Sequence, residues 1–182
     1  MYKLRFFTTA LLVTIIFFSC SGPEPRKPVV RKSSTFLKES IVRNKAINKL
    51  EETVLKDLML KDSLHSYKAS ENGFWYYYNT KDSPDGYTPK SGDEVFINYS
   101  IKDVDGSTLY TEEEIGPQRY LVDKEDIITG LQDGVKLMKA GETVTFLFPS
   151  YKAYGYLGHE RIGRGQPLIY TVKLNKIIVN NK

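Results

Sequence analysis

Cys20 is the one cysteine in this chain of 182 residues, and His65 and His159 are its two histidines. Their isolation rules out most of the reaction chemistry that residue spacing can advertise. A zinc site needs several cysteine or histidine ligands at short, regular intervals, and neither histidine has such a neighbour. No Ser-His-Asp set, nucleophile elbow or phosphate loop is present, and Gly163-Arg164-Gly165 is too short to say anything about nucleotides. Glu112-Glu113-Glu114 is a run of like charges, the pattern of a solvated face, and His65 lies in a charged stretch where it reads as solvated too. No metal and no cofactor are expected. Aromatic rings are abundant instead, with 13 tyrosines and 9 phenylalanines. A sequence so composed suits a site that works through apolar contact.

The elements that would hold such a site follow a simple order. Lys3 and Arg5 precede a mostly apolar run from Phe6 to Phe18, then Ser19 and Cys20. The run is too short to span a bilayer, which takes roughly 20 apolar residues, and fits the apolar region of a secretory signal. A cysteine where a small residue usually marks the cleavage site resembles a bacterial lipobox. On that reading residues 1–19 are a signal peptide and Cys20 is the lipidation site. The mature protein would then be tethered to a membrane of the cell envelope, facing the periplasm or the exterior. An uncleaved hydrophobic anchor with an incidental cysteine is the alternative. Residues 20–35, with Gly22, Pro23, Pro25 and Pro28 among charges, read as a flexible tether. The net charge of +4 is spread along the chain, so no nucleic-acid surface is indicated. With no second cysteine, no internal disulfide braces the domain, and its hydrophobic core must hold it together.

Residues 36–70 read as a helical arm. Ile47, Leu50, Val54 and Leu58 recur at three- and four-residue spacing, behind Leu37 and Ile41, and the pattern predicts helix from about Leu37 to Lys68, broken at Asn72-Gly73. The stripe can pack on its own domain or join two copies of the chain as a homodimer. Residues 71–182 change texture. Phe74 to Tyr78 favours strand, and Val95, Ile97, Tyr99 and Ile101 alternate with more polar neighbours. Asp105-Gly106 predicts a hairpin turn. Asp126 to Met138 predicts a helix with Ile127, Leu131, Val135 and Met138 on one face. Thr143 to Phe148 and Leu168 to Ile178 predict two more strands, the first burying Val144, Phe146 and Phe148. Strands, one short helix, then strands imply an α+β fold, an antiparallel sheet wrapped around a helix.

Three segments in order, GDEVFINYSIKDVDGSTLY, DIITGLQDGVKLMKAGE and FPSYKAYGYLGHERI with LIYTVKLNKI, carry a family resemblance. Together they resemble the FKBP-type peptidyl-prolyl cis–trans isomerases over roughly residues 71–182. The signal and helical arm are also similar to the gliding-motility-associated isomerase lipoproteins of Bacteroidota. The resemblance implies a half-barrel sheet and a proline pocket lined by Tyr99, Leu109, Tyr120, Ile127, Ile128, Leu131 and Tyr170. Leu131 would be the floor, where many relatives carry tryptophan. Tyr154 would offer its hydroxyl to the substrate carbonyl before the proline, and the Ile128 N–H would hold another carbonyl. His159 and Ile162 would lie on the overhanging loop. Many members carry Phe-Asp after the hairpin, where this chain has Leu109-Tyr110, so Tyr110 would supply a hydroxyl in place of the carboxylate. The expected partners are proline-containing polypeptide clients, with no nucleic acid. The implied activity is isomerisation of X-Pro bonds during folding of exported proteins. The alternative is a catalytically weak prolyl-peptide-binding module of an envelope complex.

Overall fold

The computed structural model describes residues 33–81 and 86–180, with side chains from Leu37 onward. The expected signal, lipidation site and most of the tether lie outside the described residues. The chain divides into two compact units at Leu37/Lys38, the first contributing only the start of one helix among the described residues.

Helix α1 spans Ser33–Lys61. It is followed by β1 (Lys68–Ala69), β2 (Trp75–Thr80), β3 (Glu94–Asp103), β4 (Thr108–Tyr110), the short α2 (Glu112–Ile115), β5 (Gln118–Leu121), α3 (Thr129–Val135), β6 (Thr143–Phe148) and β7 (Leu168–Ile178). All strand pairings are antiparallel, in the order β1-β2-β6-β7-β3-β4, with β5 pairing the other half of β3. β7 runs between β6 and β3 and is the strand that joins the two halves of the sheet.

The sheet wraps α3. Val95, Ile97, Phe146, Phe148, Tyr170 and Val172 from the strands share one core with Leu131, Val135 and Met138. α3 lies so close to β6 that two of its positions leave little room for any side chain. A Cβ on Gly130 would come within 2.6 Å of the Phe148 ring, and one on Gly134 within 3.0 Å of the Phe146 ring. Helix geometry is confined to Thr129–Val135, shorter than the 126–138 pattern predicts. The chain then tightens, with Leu137 N donating to Gly134 O and Met138 N to Val135 O, so the apolar spacing continues past the helix itself.

The arm differs from expectation in two ways. It ends at Lys61, short of the expected Lys68, because the Asp62 carboxylate accepts from Leu64 N, His65 Nδ1 and Tyr67 Oη and folds the chain into a tight turn. Asn72-Gly73 instead forms the β1–β2 turn, with Gly73 at φ 82° and Ser70 N donating to Phe74 O. The docked stripe of α1 also runs one residue off the predicted one. Glu51 and Leu55 are buried and Ile47 and Leu58 partly so, while Leu50 and Val54 face solvent. α1 packs on the outer face of its own sheet, where Leu58 and Lys61 share a cleft with Thr145, Leu147, Ile169 and Thr171. That cover explains why β6 is buried on both faces and not in alternation.

Candidate active site

Tyr99 on β3 and Tyr170 on β7 stack with ring centroids 5.5 Å apart at 26°. Tyr170 is 1% exposed and packs against Phe148, whose ring centroid lies 5.4 Å away. The Tyr170 hydroxyl donates to the Tyr154 hydroxyl at 3.5 Å. The Tyr154 ring in turn stacks on His159, at 5.1 Å and 7°. Leu131, from the sheet-facing side of α3, is 3% exposed and belongs to the same cluster. Tyr99, Leu109, Tyr110, Ile127, Ile128 and Tyr154 pack on it from above and remain partly exposed. These residues form one apolar, aromatic cluster, buried at Leu131 and Tyr170 and half-exposed at its rim, where the Tyr99, Tyr110 and Tyr154 side chains lie. Burial pushes the Tyr170 phenol far above its usual range and raises Tyr99 as well, the neighbouring Tyr154 adding to both. Both hydroxyls stay protonated and able to donate near neutral pH.

The remaining expected site residues are placed as follows. Tyr120 is almost wholly buried in the same core, and its hydroxyl accepts from Asp123 N. Ile128 precedes α3 and its carbonyl accepts from Leu131 N and Gln132 N. His159 is exposed on the loop, while Ile162 is turned inward and exchanges backbone hydrogen bonds with His159 in both directions. Ile162 thus pins the loop down from inside.

The Tyr110 hydroxyl is already engaged. It donates to Glu160 Oε2 at 2.9 Å and accepts from Arg161 N at 3.2 Å. Arg161 lies over the Tyr110 ring at 4.9 Å, and its Nη1 donates to Leu109 O and to Glu114 Oε1. Tyr110 therefore fastens the loop to the hairpin. Glu114, in the run read as a solvated face, anchors that latch. Sequence reasoning missed Glu160, Arg161 and Glu114. Only Glu114 left a local signal, since Thr111 and Glu114 form the reciprocal capping box of α2.

The loop carrying Tyr154 is braced on several sides. It opens with a 3₁₀ turn, Ser150–Lys152, and Ser150 O accepts from both Ala153 N and Gly155 N. Gly165 N donates to Gly155 O and closes the base of the loop. Lys152 Nζ reaches Asp133 on α3 at 3.2 Å. A separate cleft of about 330 Å³ lies between this loop and α1, lined by Asn44, Ile47, Asn48, Tyr151, Tyr156 and Arg164 among others. Among the described residues, no group of three histidine, cysteine or acidic side chains could hold a metal ion.

Residues 86–175 match the family model described as FKBP-type peptidyl-prolyl cis-trans isomerase. A probable FKBP-type isomerase FkpA of Neisseria meningitidis is 32% identical over 127 residues, 69% of this chain and 44% of the relative. The chain thus spans less than half the length of that curated relative. The crystal structure of a Pseudomonas syringae peptidyl-prolyl isomerase superposes with a TM-score of 0.60 at 22% identity, over 74% of this chain and 96% of that one. FkpA from Escherichia coli gives 0.59 at 22% identity, over 94% of this chain and 82% of that one. Both structures share the fold. Sequence motifs, sheet topology and family match converge, and residues 86–175 belong to the FKBP-type peptidyl-prolyl cis-trans isomerase family.

Proposed function

We propose that this chain is a peptidyl-prolyl cis–trans isomerase that acts on X-Pro bonds of exported polypeptides. The observation that carries the reading is the convergence of Tyr99, Tyr154 and Tyr170 over Leu131 inside a domain of this family.

Rotation about an X-Pro bond crosses a barrier of ~18–20 kcal/mol because it breaks amide resonance. No proton leaves and no covalent bond forms. The twisted amide has lost C–N double-bond character, so its carbonyl carries less negative charge than the planar form. A site that excludes water favours the twisted form, since it withdraws solvation that the planar amide needs more. In this reading the prolyl ring rests on the Leu131 and Tyr170 floor, with Tyr99, Ile127 and Ile128 around it. Tyr154 offers its hydroxyl to the carbonyl before the proline.

Clients are proline-containing chains, unfolded or partly folded. Cys20 serves as the lipid attachment point that holds the domain at a membrane of the envelope, and Ser21 to Ser34 is the tether. Leu37, Ile41, Val42, Leu50 and Val54, exposed along α1, serve to pair a second copy. Sedimentation velocity across a concentration series tests the pairing, and a concentration-independent monomer removes it. Incorporation of labelled palmitate, abolished by Cys20→Ala, tests the anchor.

A magnetisation-exchange NMR assay on a proline peptide tests the activity. Exchange indistinguishable from the uncatalysed rate, for folded protein, removes the isomerase reading. A second reading, a module that binds prolyl segments without useful turnover, is favoured by the engagement of Tyr110 with Glu160 and Arg161. That contact occupies the Tyr110 hydroxyl, which the resemblance would put in place of a carboxylate. Peptide binding without accelerated exchange is its signature.

A further inference from the structure

Glu51 is a buried carboxylate, 6% exposed, on a helix that lies outside the matched domain. Its two oxygens accept from one residue 99 positions away. Ser150 N reaches Oε2 at 2.7 Å, and Ser150 Oγ reaches Oε1 at 2.7 Å. A buried carboxylate is costly unless hydrogen-bonded, and charge-assisted bonds of this length are among the stronger ones. The bonded residue is well placed. Ser150 O accepts from Ala153 N at 2.9 Å and from Gly155 N at 2.8 Å, the two neighbours of Tyr154 in the chain. Glu51 thus fixes Ser150, and Ser150 fixes the backbone on both sides of Tyr154.

We infer that Glu51 is a positioning residue for the candidate active site, holding the Tyr154 loop in its binding pose from the N-terminal helix. The functional half of this inference rests on the isomerase reading above. An apolar residue at this position would leave Ser150 N and Oγ without acceptors in a buried setting. Glutamine would turn an NH₂ donor toward one of two donors. The site of this protein therefore does not end at the boundary of the matched domain, and α1 is part of its machinery.

The chain's two histidines supply the readout. His159 stacks on Tyr154, while His65 stacks on Tyr77 at 4.0 Å and 24°, beside the end of α1. In a ¹H–¹³C spectrum of the full chain, Glu51→Gln should move the His159 ring resonance toward its unstacked position and leave His65 in place. The kcat/KM for a proline peptide should fall about tenfold, as expected for a displaced binding group. Ser150→Ala, which removes one of the two donors, should do both to a smaller degree, and Glu51→Gln added to it should cost less than it does alone. Glu52→Gln, on the neighbouring exposed pair with Lys56, should change neither readout.

An unmoved His159, or a displaced His159 with kcat/KM within twofold of wild type, overturns the inference. Should Glu51→Gln also disturb His65, Ser150→Ala decides by the same two readouts. Wild-type protein without measurable turnover removes the isomerase reading instead, and the His159 displacement then decides alone whether Glu51 sets the Tyr154 pose.

Discussion

The Tyr154 hydroxyl accepts from Tyr170 and keeps its own proton to offer. Replacing Tyr154 with phenylalanine removes that donor and leaves the ring stacked on His159. It should lower kcat/KM about fivefold, the worth of one ordinary hydrogen bond, and should lower unfolding free energy by about 1–3 kcal/mol, because the buried Tyr170 hydroxyl loses its acceptor. Leu131 is a different case, because it is floor and core at once. Leu131→Ala should cost about 2–5 kcal/mol of unfolding free energy, read from denaturant midpoints, and should reduce peptide binding in step. Gly130 has no chemistry of its own, yet a methyl group there meets both the Phe148 ring and Lys152 O, the latter at 2.9 Å. Backbone cannot step aside as a flexible side chain can. Gly130→Ala should cost about 1–3 kcal/mol and disturb the loop carrying Tyr154.

Elements were legible where their residues obey one rule at a time. β7 could be read from Leu168 because Leu168, Tyr170, Val172 and Leu174 alternate without interruption and face the core. α1 was legible as a helix but not in its docked face. Leu50 and Val54 are the residues an amphipathic pattern selects, and both are exposed, while the centre of the buried stripe is a glutamate. A carboxylate facing inward is invisible to apolar periodicity, and its reason, Ser150, lies far along the chain. The stop at Asp62 was hidden for a similar cause, since the aspartate works through side-chain bonds to Leu64, His65 and Tyr67 rather than through a glycine or proline. Those bonds hold the Asp62 carboxyl at about 2, the His65 bond contributing most and Tyr67 next. A depressed carboxyl adds stability above its unfolded pKa and loses it as pH falls through the folded value. The helix junction should thus loosen between about pH 4 and pH 2 in the wild type, seen as loss of the His65–Tyr77 stacking shift, and Asp62→Asn should loosen it at neutral pH.

Across the whole molecule, the candidate site contains groups that hold their protons more firmly than in solution. Tyr99 and Tyr170 are raised, burial being the larger cause in each. A raised phenol contributes stability below its unfolded pKa and forfeits it as pH climbs past that value. Unfolding free energy should begin to decline above about pH 10, while kcat/KM for a proline peptide should stay level from about pH 7.5 to 9.5. A bell-shaped profile in that interval would contradict catalysis without proton transfer. The motif segments were readable where Tyr99 and Tyr170 take alternating strand positions and Leu131 lies on the apolar face of a short helix. The Tyr110, Glu160 and Arg161 latch was not, because it joins a hairpin to a loop through contacts made only after folding.

The sheet has two halves, β1-β2-β6 and β3-β4-β5, and β7 is the seam between them. It is also the last strand in the chain among the described residues. A nascent polypeptide that has emerged only as far as Pro167 lacks the piece that closes its own core, so it stays open until Leu168 to Ile178 follows. Ribosome-arrested chains ending at Pro167 should be cut rapidly by protease, and chains extended past Ile178 should resist.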